Sequence, residues 1–179
     1  MSMAGTIAVE CAGQIMTITI DRPEVLNALD PPSHRKLSEA FDQYAGDDNL
    51  RVAIITGAGS KAFCVGSDLK VRTKMGGDDM PATGFAGLTE RFDLLKPVIA
   101  AINGHAIGGG MEIVLACDLA IAVPDARFGL PEVRVGLAAA GGLHRLARQL
   151  PMKQAMQIAL TGELFDAREA MRFGLINQI

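Results

Sequence analysis

Gly108-Gly109-Gly110-Met111-Glu112-Ile113-Val114-Leu115-Ala116-Cys117 is apolar on every side of a helix, with Glu112 its only charge. A helix without a polar face is normally buried. A carboxylate inside it is desolvated unless it is paired, hydrogen-bonded or protonated. The plain alternative is a first-turn glutamate that complements the helix dipole. The three glycines let the backbone approach a ligand without a Cβ in the way, and they open onto the unpaired N–H groups of a helix start. That arrangement suits an oxyanion or a phosphate, and equally a tight turn into close helix–sheet packing.

Working outward, this buried helix lies between two apolar runs, Val98 to Ile102 after Pro97, and Leu119 to Val123. Both repeat the pattern of Val52 to Thr56, a β-branched run expected in a strand covered on both faces. Met16-Thr17-Ile18-Thr19-Ile20 alternates apolar and polar, as in a strand with one wet face. Asp30-Pro31 reads as a helix start, with Leu37, Ala40, Phe41 and Tyr44 on the apolar side and Gly46 as the stop. Strands alternating with helices indicate an α/β fold. From Gly141 onward the pattern changes to a helical annex. Its helices are expected at Gly142 to Arg148, Pro151 to Thr161 and Asp166 to Phe173, the last with Asp166 and Glu169 in a capping-box-like pair. The expected division is therefore a core over 1–140 and an annex over 141–179.

Composition narrows the function classes. The chain has 179 residues, 49% hydrophobic and 21% charged, enough for one folded domain that buries about 70% of its unfolded surface. A net charge of −3 without a Lys/Arg run argues against a nucleic-acid partner. Cys11, Cys64 and Cys117 form no CxxC pair, and His34, His105 and His144 lack metal-ligand spacing. A reducing cytoplasm without disulfides or a metal site is expected. No basic residue precedes Arg22, so the start lacks a signal-peptide pattern, and Ile113 to Val123 is too short to span a bilayer.

Two other motifs need weighing. Gly57-Ala58-Gly59-Ser60-Lys61-Ala62 fits a loose dinucleotide fingerprint. It opens no long helix, however, because Phe63-Cys64-Val65-Gly66-Ser67 continues as an apolar, glycine-interrupted segment. Hydride transfer is thus a minor alternative, and the motif is not a P-loop. Glu132 follows Pro131 in Phe128-Gly129-Leu130-Pro131-Glu132, where proline favours a loop. Taken alone, a loop carboxylate is usually solvated.

Together these segments resemble the enoyl-CoA hydratase/isomerase (crotonase) family over nearly the whole chain. The resemblance is carried by Asp21-Arg22-Pro23-Glu24-Val25-Leu26-Asn27-Ala28-Leu29, then Lys61-Ala62-Phe63-Cys64-Val65-Gly66-Ser67-Asp68-Leu69-Lys70. Lys96 to Gly104, Gly108 to Glu112 and Phe128 to Glu132 follow in order, with Gly136, Gly141-Gly142, Arg145-Leu146, Thr161-Gly162 and Gly174-Leu175. The resemblance implies a spiral of ββα units. It also implies an oxyanion hole from the backbone N–H groups of Ser67 and Gly109, in which a serine at 67 replaces the commoner alanine without removing a donor.

Glu112 and Glu132 match the two catalytic glutamates of the hydratases. Glu112 is expected to orient and deprotonate water while Glu132 supplies the C2 proton. Ser67, Asp68, Leu69 and Lys70, with Ala28, Lys61 and Gly109, are implied to bind the CoA ester, with Lys70 or Lys61 as the cation for its phosphates. The implied reaction adds water to a 2-enoyl-CoA to give a 3-hydroxyacyl-CoA, as in fatty-acid metabolism, with no cofactor beyond the CoA in the substrate. An isomerase, another enzyme on this fold, or a catalytically silent CoA-ester-binding protein are the alternatives. Ala139 stands where relatives often have proline. The chain stops at Ile179, where relatives continue into helices that help form a trimer. A homotrimer or dimer of trimers is expected if those helices are present. The acyl pocket is expected over Met75 to Leu88, where Gly76, Gly77, Gly84 and Gly87 suggest mobility.

Overall fold

The computed structural model describes residues 7–75 and 79–179. Gly76 and Gly77 of the expected mobile segment lie outside these. In chain order the elements are β1 (Ile7–Ala12), β2 (Ile15–Ile20), α1 (Pro31–Gly46), β3 (Val52–Gly57), β4 (Ala62–Cys64), α2 (Leu69–Met75), β5 (Val98–Ile102), β6 (His105–Ile107) and α3 (Gly109–Ala116). There follow β7 (Leu119–Ala122), β8 (Arg127–Gly129), α4 (Leu143–Gln149), α5 (Met152–Thr161), β9 (Phe165–Asp166) and α6 (Ala167–Phe173). Short 3-10 turns at Pro23–Val25, Phe85–Gly87 and Pro131–Val135 fill the connections.

Two sheets result, ordered β1-β2-β3-β5-β7 and β4-β6-β8-β9. In the larger sheet only the β1–β2 pair is antiparallel. The chain alternates between the sheets: β3 then β4, β5 then β6, β7 then β8, each pair followed by a helix or helical turn. This is the ββα spiral. The second sheet was not legible in the sequence, because β4, β6 and β8 have three residues each and carry no period.

Met16, Ile18 and Ile20 of β2 and Leu37, Phe41 and Tyr44 of α1 all lie in the core, fully buried. The Tyr44 hydroxyl donates to the carbonyls of Arg51 and Pro97, tying α1 to the entries of β3 and β5. Asp30 caps α1 by accepting from the Ser33 amide at 3.0 Å, and Asp166 caps α6 in the same way through Glu169. One expectation needs correcting. The run at Leu119 to Val123 is not covered on both faces: Leu119 and Ile121 stand 45% exposed while Ala120 and Ala122 are buried. β7 is the sheet's last strand, and only one of its faces meets the core. Among the described residues no helix is long and apolar enough to cross a membrane.

The loops that carry the site are held by polar side chains. Asn27 is fully buried with φ of 57°, and its side-chain amide donates to the carbonyls of Ala62 (2.7 Å) and Ala58 (3.0 Å). Its side-chain oxygen accepts from the Arg22 amide at 3.0 Å. Asparagine tolerates this left-handed conformation better than most residues do. Replacing Asn27 with alanine leaves the Arg22 amide and the Ala58 carbonyl without partners and the Ala62 carbonyl with only the Asn103 side-chain amide, and the expected loss is about 2 kcal/mol. A urea midpoint that does not move would show that these bonds contribute nothing.

Candidate active site

Burial of α3 follows from its sequence. The helix packs against β4, β6, α4 and the Phe85–Gly87 turn, and every residue from Gly109 to Leu115 is buried. This close approach depends on glycine. A methyl group on Gly110 would overlap the carbonyl oxygen of Cys64, and one on Gly109 would overlap the Phe85 ring. Gly108, at φ of 58°, adopts a conformation that other residues rarely take.

The N-terminus of α3 faces the turn after β4. An amide-to-ligand geometry at that junction needs both chains close together, and they are: a methyl group on Gly66 would stand 3.1 Å from the Gly109 nitrogen. The Gly66 carbonyl accepts from the Leu29 amide and the Asp68 amide donates to the Leu29 carbonyl, each at 2.8 Å. Those two bonds bracket Ser67 and leave its own N–H outside the pairing. Among the described residues neither the Ser67 nor the Gly109 N–H has a hydrogen-bond acceptor. Two main-chain donors from separate glycine-containing turns therefore open onto one space.

That space is a cavity of about 490 Å³. Ser67, Gly109, Glu112 and Glu132 all line it, with Leu69, Met80, Phe85, Val135 and Leu137 among its apolar walls. Glu112 is only 6% exposed. Its Oε2 lies on the side of Gly141, where a built methyl group would come within 3.2 Å of it. Glu132 sits in the 3-10 turn after Pro131 rather than in an open loop, half-buried, with its Oε1 over Gly108. Glu112 Oε1 and Glu132 Oε2 are buried and have no hydrogen-bond partner among the described residues. Orphaned buried oxygens are costly, and here they face a space that a water or substrate can fill.

Electrostatics follow from that burial. Desolvation, then the Glu132 charge, push the Glu112 carboxyl up to about 7; the amides of Gly141 and Gly142 oppose the rise, and the Glu90 charge adds to it. Burial also raises Glu132, against the pull of its own backbone amide. Both carboxyls are raised, so each holds its proton to higher pH than a free carboxyl does, and close acids titrate as a pair.

Of the other sequence candidates, only Leu69 lies in the lining of this cavity. Ala28 is buried and is not among the residues lining the cavity; its carbonyl accepts from the Arg22 guanidinium. Asp68 pairs with that guanidinium at 3.3 Å and accepts from the Val71 amide at the start of α2, so it positions the Ser67 turn. Lys70 is exposed on α2, while Lys61 lines a separate hollow of about 290 Å³ with Pro23, Leu26 and Gly59. Ala139 lines the main cavity. The segment expected to form the acyl pocket, Met75 to Leu88, supplies Met80, Gly84 and Phe85 to the lining, whereas sequence reading did not find Thr89, Glu90 or Arg134, which line it too. The pair Gly84 and Gly87, flanking an apolar turn that ends in Thr89-Glu90, was the available signal. No group of three or more His, Cys, Asp or Glu residues among those described could hold a metal ion.

Comparison with known proteins gives this geometry a context. Residues 10–179 match the family described as enoyl-CoA hydratase/isomerase. A carnitinyl-CoA dehydratase of Proteus mirabilis (strain HI4320) is 43% identical over 99% of this chain and 69% of its own length. An (E)-benzylidenesuccinyl-CoA hydratase of Thauera aromatica is 42% identical over 97% of this chain and 69% of its own. The crystal structure of a carnitinyl-CoA hydratase from Mycobacterium avium superposes with a TM-score of 0.92 at 45% identity, covering 97% of this chain and 67% of that one. The fold is that of the crotonases, and the chain belongs to the enoyl-CoA hydratase/isomerase family.

Proposed function

We propose that this chain adds water across the double bond of a 2-enoyl-CoA thioester, and removes it from the 3-hydroxyacyl-CoA in the reverse direction. The observation that carries this reading is the convergence of two unpaired main-chain N–H groups and two buried, orphaned carboxyl oxygens on one cavity. Relatives with names of both kinds, dehydratase and hydratase, support it.

Each part answers a chemical need. Attack of water at C3 sends negative charge through C2 to the thioester oxygen. Amides already aimed at that oxygen stabilise the charge without reorganisation. The water must lose one proton and C2 must gain one, so the net change is addition of H₂O with no electron transfer. Two carboxyl groups sharing one proton meet both needs if one accepts while the other donates. In this reading ionised Glu112, near the Gly141 and Gly142 amides, takes the water proton and Glu132 delivers the C2 proton, so the proton that burial holds on Glu112 in the free chain lies on Glu132 once substrate is bound. A redox-neutral addition of this kind uses no cofactor besides the CoA carried by the substrate.

Lys61 and Lys70 are proposed as cations for the CoA phosphates, with Ala28, Asp68 and Leu69 shaping the path between them and Ser67. A cytoplasmic setting, a place in fatty-acid metabolism and a trimeric assembly belong to the same proposal. An isomerase needs a single acid that moves a proton along the acyl chain. The second buried acid, Glu112, favours water addition instead.

The test is a panel of enoyl-CoA esters followed by loss of the conjugated thioester absorbance, with isotopically labelled water traced to C3. Label at C3 supports hydration. Migration of the double bond without label makes the chain an isomerase, and binding without either makes it a silent CoA-ester-binding protein.

A further inference from the structure

Arg22 is not among the described residues that line the cavity, yet its guanidinium is bound on three sides. Nη2 pairs with Asp30 Oδ2 at 3.1 Å and with Asp68 Oδ2 at 3.3 Å, and Nη1 donates to the Ala28 carbonyl. The three charged side chains are only 11% to 16% exposed. Each carboxylate divides its oxygens. Asp30 Oδ1 accepts from the Ser33 amide at 3.0 Å at the start of α1, and Asp68 Oδ1 accepts from the Val71 amide at 3.4 Å at the start of α2. Arg22 thus joins two helix starts through the chain between them.

Between those helix starts lies the Ser67 turn. Leu29 and Ser67 form a short parallel bridge, closed by the Leu29 amide on the Gly66 carbonyl and the Asp68 amide on the Leu29 carbonyl. Arg22 holds one flank of this bridge through Ala28 and Asp30, and the other through Asp68. The approach is strained: Leu26 and Asn27 stand at φ of 56° and 57°, consecutive non-glycine residues in the left-handed region. Strain of this kind persists where the surroundings over-determine the chain, and it gathers near functional sites. Without the cation, two partly buried carboxylates that now share one nitrogen would repel each other across the bridge. The Gly109 N–H has a different support, the packing of α3, so the two donors are positioned independently.

We infer that Arg22 is a positioning residue for the oxyanion hole: by holding Asp30, Asp68 and the Ala28 carbonyl together, it aims the Ser67 N–H at the thioester oxygen. This rests on the hydration reading only for the reaction that the hole serves, and Arg22 itself makes no contact with substrate. The planar fork matters as well as the charge, because a lysine gathers its donors on one nitrogen and cannot span the same three acceptors. Butanoyl-CoA, isotopically labelled at the thioester carbonyl, has no double bond to hydrate, and its carbonyl stretch moves to lower frequency when donors engage the oxygen. Difference infrared spectra of the bound ester are recorded for the unaltered protein, Arg22→Gln, Arg22→Lys, Asp68→Asn and Tyr44→Phe. The last removes a hydroxyl that ties α1 to β3 and β5 away from the cavity lining, and it controls for lost stability alone.

The stretch is expected to fall on binding to the unaltered protein, and to recover about half of that fall in Arg22→Gln, where one of the two donors is misaimed. Arg22→Gln is also expected to lose about a hundredfold in kcat for enoyl-CoA hydration, with an affinity for butanoyl-CoA within about threefold of the original. Arg22→Lys is expected to lie between the two. Asp68→Asn should move the band in the same direction as Arg22→Gln. Tyr44→Phe should unfold at lower urea with band and kcat unchanged. Full turnover with an unmoved band in Arg22→Gln, or in Asp68→Asn where Arg22→Gln does not fold, would overturn the inference, as would an equal recovery of the band in Tyr44→Phe. An unshifted band in the unaltered protein removes the oxyanion hole and its positioning residue together. A shift that depends on Arg22 in a chain that hydrates no enoyl ester keeps the inference and removes the hydration reading.

Discussion

Replacing Glu112 with glutamine is expected to lower kcat for enoyl-CoA hydration by about two to four orders of magnitude while leaving CoA-ester affinity nearly unchanged. Glutamine keeps the shape and the contact with the Gly141 and Gly142 amides, but it cannot take a proton from water. Glu132→Gln is expected to fail to a similar degree because it cannot deliver a proton to C2. The two losses should not add in the double variant, since the acids act as one unit. Single-turnover kinetics with the enoyl ester would check this, and full turnover by either variant would remove the mechanism.

The same substitution has a second consequence for stability. Glu112 titrates at about 7 in the folded chain against an ordinary 4.5. Below the ordinary value both the folded and the unfolded chain hold the proton, and the residue is neutral to stability. As pH rises from there to about 7, the unfolded chain gives up the proton and the folded chain does not, so stability falls with pH. The loss is complete above 7 and amounts to about 3 kcal/mol at most, at about 1.4 kcal/mol per unit. Glu112→Gln should therefore unfold at higher urea than the unaltered chain at pH about 8 and match it at pH about 4. A variant less stable at the higher pH would mean that the buried carboxylate is not a cost to the fold.

The other large effect concerns a residue without a side chain. Gly110→Ala places a methyl group inside the Cys64 carbonyl, which belongs to a buried strand and has no free path of retreat. Either α3 moves away from β4 or the strand shifts, and about 3 kcal/mol or more of stability is expected to be lost. Any variant that still folds should lose about a hundredfold in kcat, because the Gly109 amide moves with the helix while the Ser67 amide stays. Gly13→Ala is the control. It has a φ of 59° in the β1–β2 turn and open space around it, so only backbone strain of about 1 kcal/mol is expected. Equal unfolding midpoints for the two alanine variants would show that close packing at Gly110 is not what holds α3 in place.

Much of this was legible in the residue order, for a definite reason. The elements it showed best were long or strongly capped: α1 behind Asp30-Pro31, β2 with its alternation, and α6 with Asp166 and Glu169. A single charge in an apolar helix was enough to single out Glu112. Glu132 drew weight only from the resemblance, because Pro131-Glu132 in a turn looks like any solvated loop.

Residue types and their local periods depend on neighbours along the chain, so composition, elements, the glycine run and the family pattern could all be read from the string. The cavity depends on which distant segments come to lie side by side. The second sheet, the one-sided exposure of β7, the facing of Ser67 and Gly109, and the place of Glu90 beside Glu112 are all of this kind. Burial and mutual repulsion, which set how the two acids share a proton, exist only once the turn at Gly66, the start of α3 and the loop at Gly141 have closed around them.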